Sequence, residues 1–339
     1  MKTDILSMMP HEIGAFITEK SLPKYRADQI FEWLHKRGAK SFEDMVNLPK
    51  TLRTELEQYF FITTYSVIQK HTSQDNNTIK FLTKLNNDAF AESVLMSYKH
   101  GNSICISTQA GCKMGCKFCA SAESGFQRNL SAGEYCAQVY HGDSIKNIVL
   151  MGCGEPLDNF DATIRFIELI THTKGMNIGQ RHITVSTCGL VPQIHELAEK
   201  NLQITLAVSL HAPTDEIRSE LMPIAKTHPL SELMVACKKY ADITRRRITF
   251  EYALIQGVND SPAHAKALAK LLQGLLCHVN LIPINKARSN FSPAPRRDIE
   301  KFAQVLQEKN ITATIRRSLG SDINAACGQL RGQLRGINP

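Results

Sequence analysis

Three cysteines, Cys112, Cys116 and Cys119, stand in a C-x3-C-x2-C pattern with Phe118 directly before the last of them. With ten cysteines in 339 residues, composition alone would produce this spacing in roughly 1% of shuffled chains. A structural zinc site is one reading, but such sites prefer four protein ligands in two paired knuckles, and no second C-x2-C exists in the sequence. Three thiolates on one short loop suit an iron–sulfur cluster with one iron left open to a further ligand. Inert buried cysteines are the plain alternative.

A cluster of that kind needs a scaffold, and the sequence around it has a regular rhythm. From residue 103 the pattern runs strand then helix six times, with predicted strands at 103–108, 147–152, 182–187, 204–211, 248–255 and 278–285. Most are β-branched, apolar runs, as strands buried on both faces should be. Amphipathic segments of helical length lie between them, for example 158–173 and 262–276. The expectation is an α/β fold with a parallel sheet, a partial (βα)6 barrel. In such barrels the carboxyl ends of the strands carry the site. Here those ends hold Gly154 and Glu155, Ser186, the run Ser209-Leu210-His211, and Asn285. Each is weak alone; a lone His211 or Asn285 is an ordinary structural polar group.

The first 61 residues read as helices, one opened by Leu22-Pro23 and stopped by Gly38, another opened by Pro49. From Thr63 short strands alternate with the turn signals 74–77, 86–88 and 100–102. Two domains are expected: residues 1–97, a small helical accessory module with a hairpin extension, and residues 98–339. Hydrophobic residues make up 43% and charged residues 21%, which fits a globular chain and excludes disordered or collagen-like classes. No apolar run approaches the ~18 residues of a membrane span. Asp4 and Glu12 fall where a signal peptide would stay apolar. A soluble, cytoplasmic protein without a membrane partner is expected, with its cysteines reduced. Residues 1–97 carry 12 basic and 12 acidic side chains, so the whole formal charge of +8 lies in the remainder. Residues 286–339 alone hold 10 basic against 4 acidic. That concentration suits a polyanion such as nucleic acid, and equally a solvated basic face.

The cysteine loop, with its aromatic residue before the third cysteine, resembles the signature of the radical S-adenosylmethionine superfamily. The resemblance implies a 4Fe-4S cluster whose open iron binds the amino and carboxylate groups of S-adenosylmethionine, which one-electron reduction cleaves to a 5′-deoxyadenosyl radical. Gly154, Glu155, Ser186, Ser209, Leu210, His211 and Asn285 would then hold the methionine, ribose and adenine parts of that cofactor. Over nearly the whole chain the sequence resembles the RlmN/Cfr family of radical RNA adenine methyltransferases. The motifs are Gly-Glu-Pro at 154–156, Ser-Leu-His-Ala-Pro at 209–213, Phe250-Glu251-Tyr252, Gly257-Val258-Asn259-Asp260 and Ala-Ala-Cys-Gly-Gln-Leu at 325–330.

That resemblance implies that Cys327 carries the methyl group, that Cys105 resolves it through a disulfide, and that Glu92 is the general base. Residue types alone would make Cys327 a small buried side chain and Glu92 a polar strand residue. The implied substrate is adenosine in 23S rRNA, and tRNA with it, and the implied partners include a flavodoxin or ferredoxin as electron donor to a monomer. Gly154-Glu155-Pro156 looks more like the C2-methylating branch than the C8 branch that confers antibiotic resistance. Two departures bear on the branch: Cys153 replaces the family's usual methionine, and Ser318-Leu319 replace its usual threonine and basic residue. Rival readings are a glycyl-radical activase, which has no use for Cys105 with Cys327, and a non-catalytic, metal-stabilised RNA-binding protein. Cys136, Cys153, Cys188, Cys237 and Cys277 are expected to pack.

Overall fold

The computed structural model describes residues 2–85, 89–123, 125–285, 291–317 and 319–330. The turn at 86–88, Ser318 and the basic positions Lys286, Arg288, Arg331 and Arg335 lie outside the described residues. Strands β1 (Thr3–Asp4) and β2 (Phe60–Phe61) pair in parallel and bracket three helices, α1 (Pro10–Glu19), α2 (Tyr25–His35) and α3 (Lys50–Tyr59). Pro10 and Pro49 act at helix starts, where a missing amide hydrogen costs nothing. Glu12 closes α1 by accepting from the Met9 amide at 2.6 Å. The helices bury Ile13, Ile17, Ile30, Phe31, Leu34 and Leu56 completely. Arg165 fastens this module to the rest through Glu12 at 2.9 Å.

The rest is built on one sheet of ten strands. Three antiparallel strands come first: β3 (Ser66–Thr72), β4 (Thr78–Lys84) and β5 (Phe90–Tyr98). β6 (Gly101–Cys105) pairs antiparallel with β5, Tyr98 facing Gly101, so the sheet runs unbroken through residue 97. After β6 comes a two-stranded ribbon, β7 (Gln109–Gly111) with β8 (Phe126–Asn129). Then strands and helices alternate: α4 (Ala132–Val139), β9 (Ile145–Leu150), α5 (Phe160–Thr171), β10 (Ile183–Thr187), α6 (Val191–Glu199) and β11 (Thr205–Ser209). They continue with α7 (Asp215–Leu221), α8 (Leu230–Thr244), β12 (Ile248–Leu254), α9 (Pro262–Leu271), β13 (Cys277–Pro283), α10 (Arg296–Glu308) and β14 (Ala313–Ile315).

The strand order is β14-β13-β12-β11-β10-β9-β6-β5-β4-β3, with every pair from β6 to β14 parallel. All six predicted strands are present, and the partial barrel gains a seventh, β14, which the sequence did not announce. One face of its strands is fully buried, with Ile148, Val185, Leu206, Val208, Phe250 and Val279 at no measurable exposure, and residues of the other face are half-buried in β9, β10 and β13. Removing such a ring as Phe250 by substitution with Ala should cost about 3–5 kcal/mol. Among the described residues, no helix is long and apolar enough to cross a membrane.

Candidate active site

The cysteine loop is clasped by the β7–β8 ribbon. Gly111 sits at φ +78°, and a Cβ there would fall 1.6 Å from the Gly125 carbonyl oxygen, so no larger residue fits. The Cys112 amide donates to that same oxygen at 3.2 Å, and the Cys119 amide donates to the Cys116 carbonyl at 3.1 Å. The Phe118 ring meets the His211 ring edge-on with centroids 4.7 Å apart. Cys112, Cys116 and Cys119 are all free, half-buried, and line one cavity with about 1060 Å³ of space opening to solvent. Burial pushes the Cys112 thiol up to about 12 and raises Cys116 and Cys119 too, so metal binding must displace their protons. Among the described residues, no three His, Cys, Asp or Glu side chains are gathered around a single metal ion. Three thiols and an open side toward a roomy polar rim fit a multi-iron cluster with one unfilled position.

The rim is assembled from strand ends. Gly154 (φ +103°) passes so close to β7 that a Cβ would lie 2.6 Å from the Gln109 Cβ. Glu155 is buried, and its carboxylate accepts from the Cys188 amide at 2.7 Å and the Leu157 amide at 3.0 Å, joining the ends of β9 and β10. Burial raises its pKa, and those amides oppose the rise. Ser186, Ser209, His211 and Asn285 line the same cavity. His211 has φ +57°, and its Nδ1 accepts from the Ala253 amide at 2.9 Å, which leaves the proton on Nε2. Burial, then Arg218, holds its pKa down at about 3, so the ring is neutral. Leu210 is placed differently: it is fully buried, its amide donates to the Glu251 carbonyl at 3.0 Å, and it is not among the cavity-lining residues.

A second, smaller cavity adjoins the first. Cys105, Val94, Met96, Tyr98, Ala325 and Ala326 line it, while Cys327, Asn285, Arg316, Met151, Ile282 and Leu330 border both. Cys327 thus stands at the partition between the cysteine loop and Cys105. Its carbonyl accepts from Asn285 Nδ2 at 3.2 Å, and the segment around it is bonded to the loop, Ala120 amide to Gly328 carbonyl at 2.7 Å and Ser121 Oγ to Leu330 carbonyl at 2.7 Å. Burial pushes the Cys105 thiol up to about 12, with the Cys327 sulfur adding to the rise. No disulfide joins Cys105 and Cys327 in this structure; all ten cysteines are free.

Glu92 lies on β5 near that small cavity. The β5–β6 hairpin sets Val94 opposite Cys105, so Val94, Cys105 and Glu92, two residues from Val94, share one face of the sheet. The 13-residue separation of Glu92 and Cys105 is that hairpin. Lys80, opposite Val94 on β4, pairs with Glu92 at 3.2 Å and donates to the Asn324 carbonyl at 3.2 Å.

Several residues of the site escaped the sequence. Lys80 is one. Arg316 is another: it follows β14, borders both cavities, and approaches buried Glu251 at 3.7 Å, whose other oxygen accepts from Asn280 Nδ2 at 3.0 Å. Arg218 of α7 is a third, fully buried beneath the rim. Phe250-Glu251-Tyr252 was visible as a motif; nothing local announces Lys80 or Arg218, whose partners lie on other strands. Cys136, Cys153, Cys188 and Cys237 are buried and Cys277 half-buried, although Cys188 lines the large cavity.

Residues 106–268 match the family model described as the radical SAM superfamily, and residues 3–62 match the one described as the ribosomal RNA large subunit methyltransferase N-terminal domain. A probable dual-specificity RNA methyltransferase RlmN of Clostridium tetani is 51% identical over 97% of this chain and 95% of its own length. One of the same name from Clostridium novyi is also 51% identical, over 97% of both. The crystal structure of a radical SAM methyltransferase from Sphaerobacter thermophilus superposes with a TM-score of 0.93 at 44% identity, covering 98% of this chain and all of that one. The protein belongs to the RlmN family of the radical S-adenosylmethionine superfamily.

Proposed function

We propose that the chain methylates C2 of adenosine in large-subunit ribosomal RNA and in tRNA, as a radical S-adenosylmethionine RNA methyltransferase working through a methylated Cys327. The observation that carries this reading is the place of Cys327, bordering both the cavity of the cysteine loop and the cavity of Cys105. Its relatives are named as dual-specificity RNA methyltransferases.

Cys112, Cys116 and Cys119 would hold a 4Fe-4S cluster, with Gly154, Glu155, Ser186, Ser209, Leu210, His211 and Asn285 around S-adenosylmethionine. Glu155 would act chiefly by fixing the turn, since backbone amides occupy both its oxygens, and Leu210 by fixing the strand end. When bound, the cluster and its cofactor supply a methyl group and a one-electron means of removing hydrogen from it. The chain supplies the rest. The adenine C2 carbon is electron-poor and cannot take a methyl cation directly, whereas the Cys327 sulfur can. Once the Cys327-borne carbon has bonded to the ring, Glu92 removes the ring proton, and the cluster would serve as acceptor for the one electron left unpaired. Cys105, as thiolate, then attacks the Cys327 sulfur: the disulfide forms as the sulfur–carbon bond breaks, the electron pair stays with that carbon, and the carbon takes a proton and leaves as the methyl group of the RNA.

The electron comes from a flavodoxin- or ferredoxin-type donor, and the enzyme works as a cytoplasmic monomer, residues 1–97 serving as an accessory domain to 98–339. The test is mass spectrometry of adenosines from RNA of a deletion strain. Loss of 2-methyladenosine is expected; intact 2-methyladenosine with missing 8-methyladenosine would move the enzyme to the other branch.

A further inference from the structure

Among the described residues, one charge in this site has no charged partner. Arg218 is fully buried, and its guanidinium donates only to main-chain oxygens: Leu210 at 3.3 Å, His228 at 3.4 Å, Cys188 at 2.7 Å and Ser209 at 3.5 Å. Among the described residues no carboxylate forms a salt bridge with it. Asp215, one turn earlier on α7, is the carboxylate that acts on it most, and Asp215 Oδ1 is engaged by the Leu230 amide at 2.7 Å. Burying an unpaired cation is costly, and a neutral donor would tie strand-end carbonyls at less expense. The charge therefore calls for an explanation beyond fastening.

Its position supplies one. Leu221, three residues along α7, accepts from the Lys117 amide at 2.9 Å, so this helix is bonded to the cysteine loop beside Cys116. Cys188, whose carbonyl takes the shortest of the arginine's bonds, lines the cavity that the three cysteines share. A cluster on three thiolates gains a negative charge when reduced, and its potential responds to fixed charge and burial around it. In a site screened from water a nearby cation favours the reduced state.

We propose that Arg218 is a positioning residue whose buried charge raises the reduction potential of the cluster held by Cys112, Cys116 and Cys119, bringing it within reach of a one-electron donor protein. This rests on the iron–sulfur reading of the loop. The donor gives up one electron and the cluster takes it; Arg218 keeps its proton throughout and transfers nothing.

The experiment is a redox titration followed by electron paramagnetic resonance on the anaerobically purified full chain, with iron and sulfide measured on each sample. Arg218→Met should shift the midpoint to a more negative potential at unchanged iron and sulfide, and Arg218→Lys, which keeps the charge, should stay near wild type. Asp215→Asn retains the acceptor for Leu230 while removing the opposing charge, so its midpoint should move the other way. Equal shifts in Arg218→Met and Arg218→Lys would reduce the arginine to a fastener. If Arg218→Met does not hold its cluster, Arg218→Gln, which keeps amide donors for the same carbonyls without the charge, decides: a negative shift supports the proposal and an unmoved midpoint overturns it. Wild-type protein lacking iron and sulfide would instead overturn the reading of the loop, an outcome separate from any shift.

Discussion

The two halves of the sheet do different work. From β6 to β14 the strands are parallel, bury one face in the core, and end in loops that converge on one cavity. From β3 to β5 they are antiparallel, and β3 is a largely exposed edge. The antiparallel half lines only the small cavity, through Val94, Met96 and Tyr98. Its other contribution is to hold the Cys327 segment, through Lys80 on the Asn324 carbonyl and the Gln74 amide on Asp322 at 2.9 Å. In the proposed mechanism one half makes the reactive centre, and the other holds the Cys327 segment and carries Glu92. Damage to the first should abolish chemistry, and damage to the second should stall or slow it.

The largest effect belongs to the parallel half. Cys112→Ala, Cys116→Ala or Cys119→Ala should each lose the cluster and all activity, read from iron content and visible absorbance. A normal brown, redox-active cluster in any of them would move the ligands elsewhere. Next come the cysteines at the partition. Cys105→Ala should leave the early steps intact and accumulate a protein–RNA adduct that survives denaturation, because nothing frees the Cys327 sulfur. Cys327→Ala should form none, and equal absence of RNA from both variants would make Cys105 a packing residue.

The antiparallel half should give graded losses. Glu92→Gln should slow turnover by about 10²–10⁴-fold with folding preserved, as removal of a proton acceptor does. Lys80→Met should destabilise the protein by about 3 kcal/mol, taking the cation from a buried carboxylate, and slow turnover less than Glu92→Gln. The reverse order of rates would make Lys80 the chemical residue. Burial holds the pKa of His35 and His211 at about 3 and of His141 at about 4. Their folded values lie below their unfolded ones, so the unfolded chain binds protons more readily. Stability should therefore fall as pH drops from about 6.5 toward 4, each ring contributing a slope of about 1.4 kcal/mol per pH unit, measured by denaturant melts. His35→Gln should flatten that slope.

The smallest effect concerns salt. Arg317 is exposed, whereas Arg316 is half-buried against Glu251. Arg317→Ala should lower the salt slope of RNA binding by about one, and Arg316→Ala should not, since only the former is free to meet a phosphate.

These differences track what the sequence could reveal. The parallel half was legible because β-branched runs and polar strand ends repeat, and because C-x3-C-x2-C is a local pattern. β14 was not, since three residues ending against Arg316-Arg317 carry too little apolar signal. The hairpin at 66–98 was legible as strands, but its membership of the main sheet depends on Tyr98 turning back to Gly101. Glu92 could be named only by likeness to relatives; its pairing with Lys80, and its place on the same sheet face as Cys105, follow from pairings between β4, β5 and β6 that no single stretch contains. Nothing in its own stretch of sequence marks Arg218, and only packing shows that it faces inward.

The bonds from Ala120 to Gly328 and from Ser121 to Leu330 have a thermodynamic consequence. They make the order of the cysteine loop and of the Cys327 segment two readings of one equilibrium. By reciprocity, whatever factor the seated segment adds to metal retention is the factor by which a filled loop shelters the segment from a protease. A chain newly made, before its loop is filled, would then carry the Cys327 sulfur on a loosened tether, and maturation would be what sets that sulfur in place.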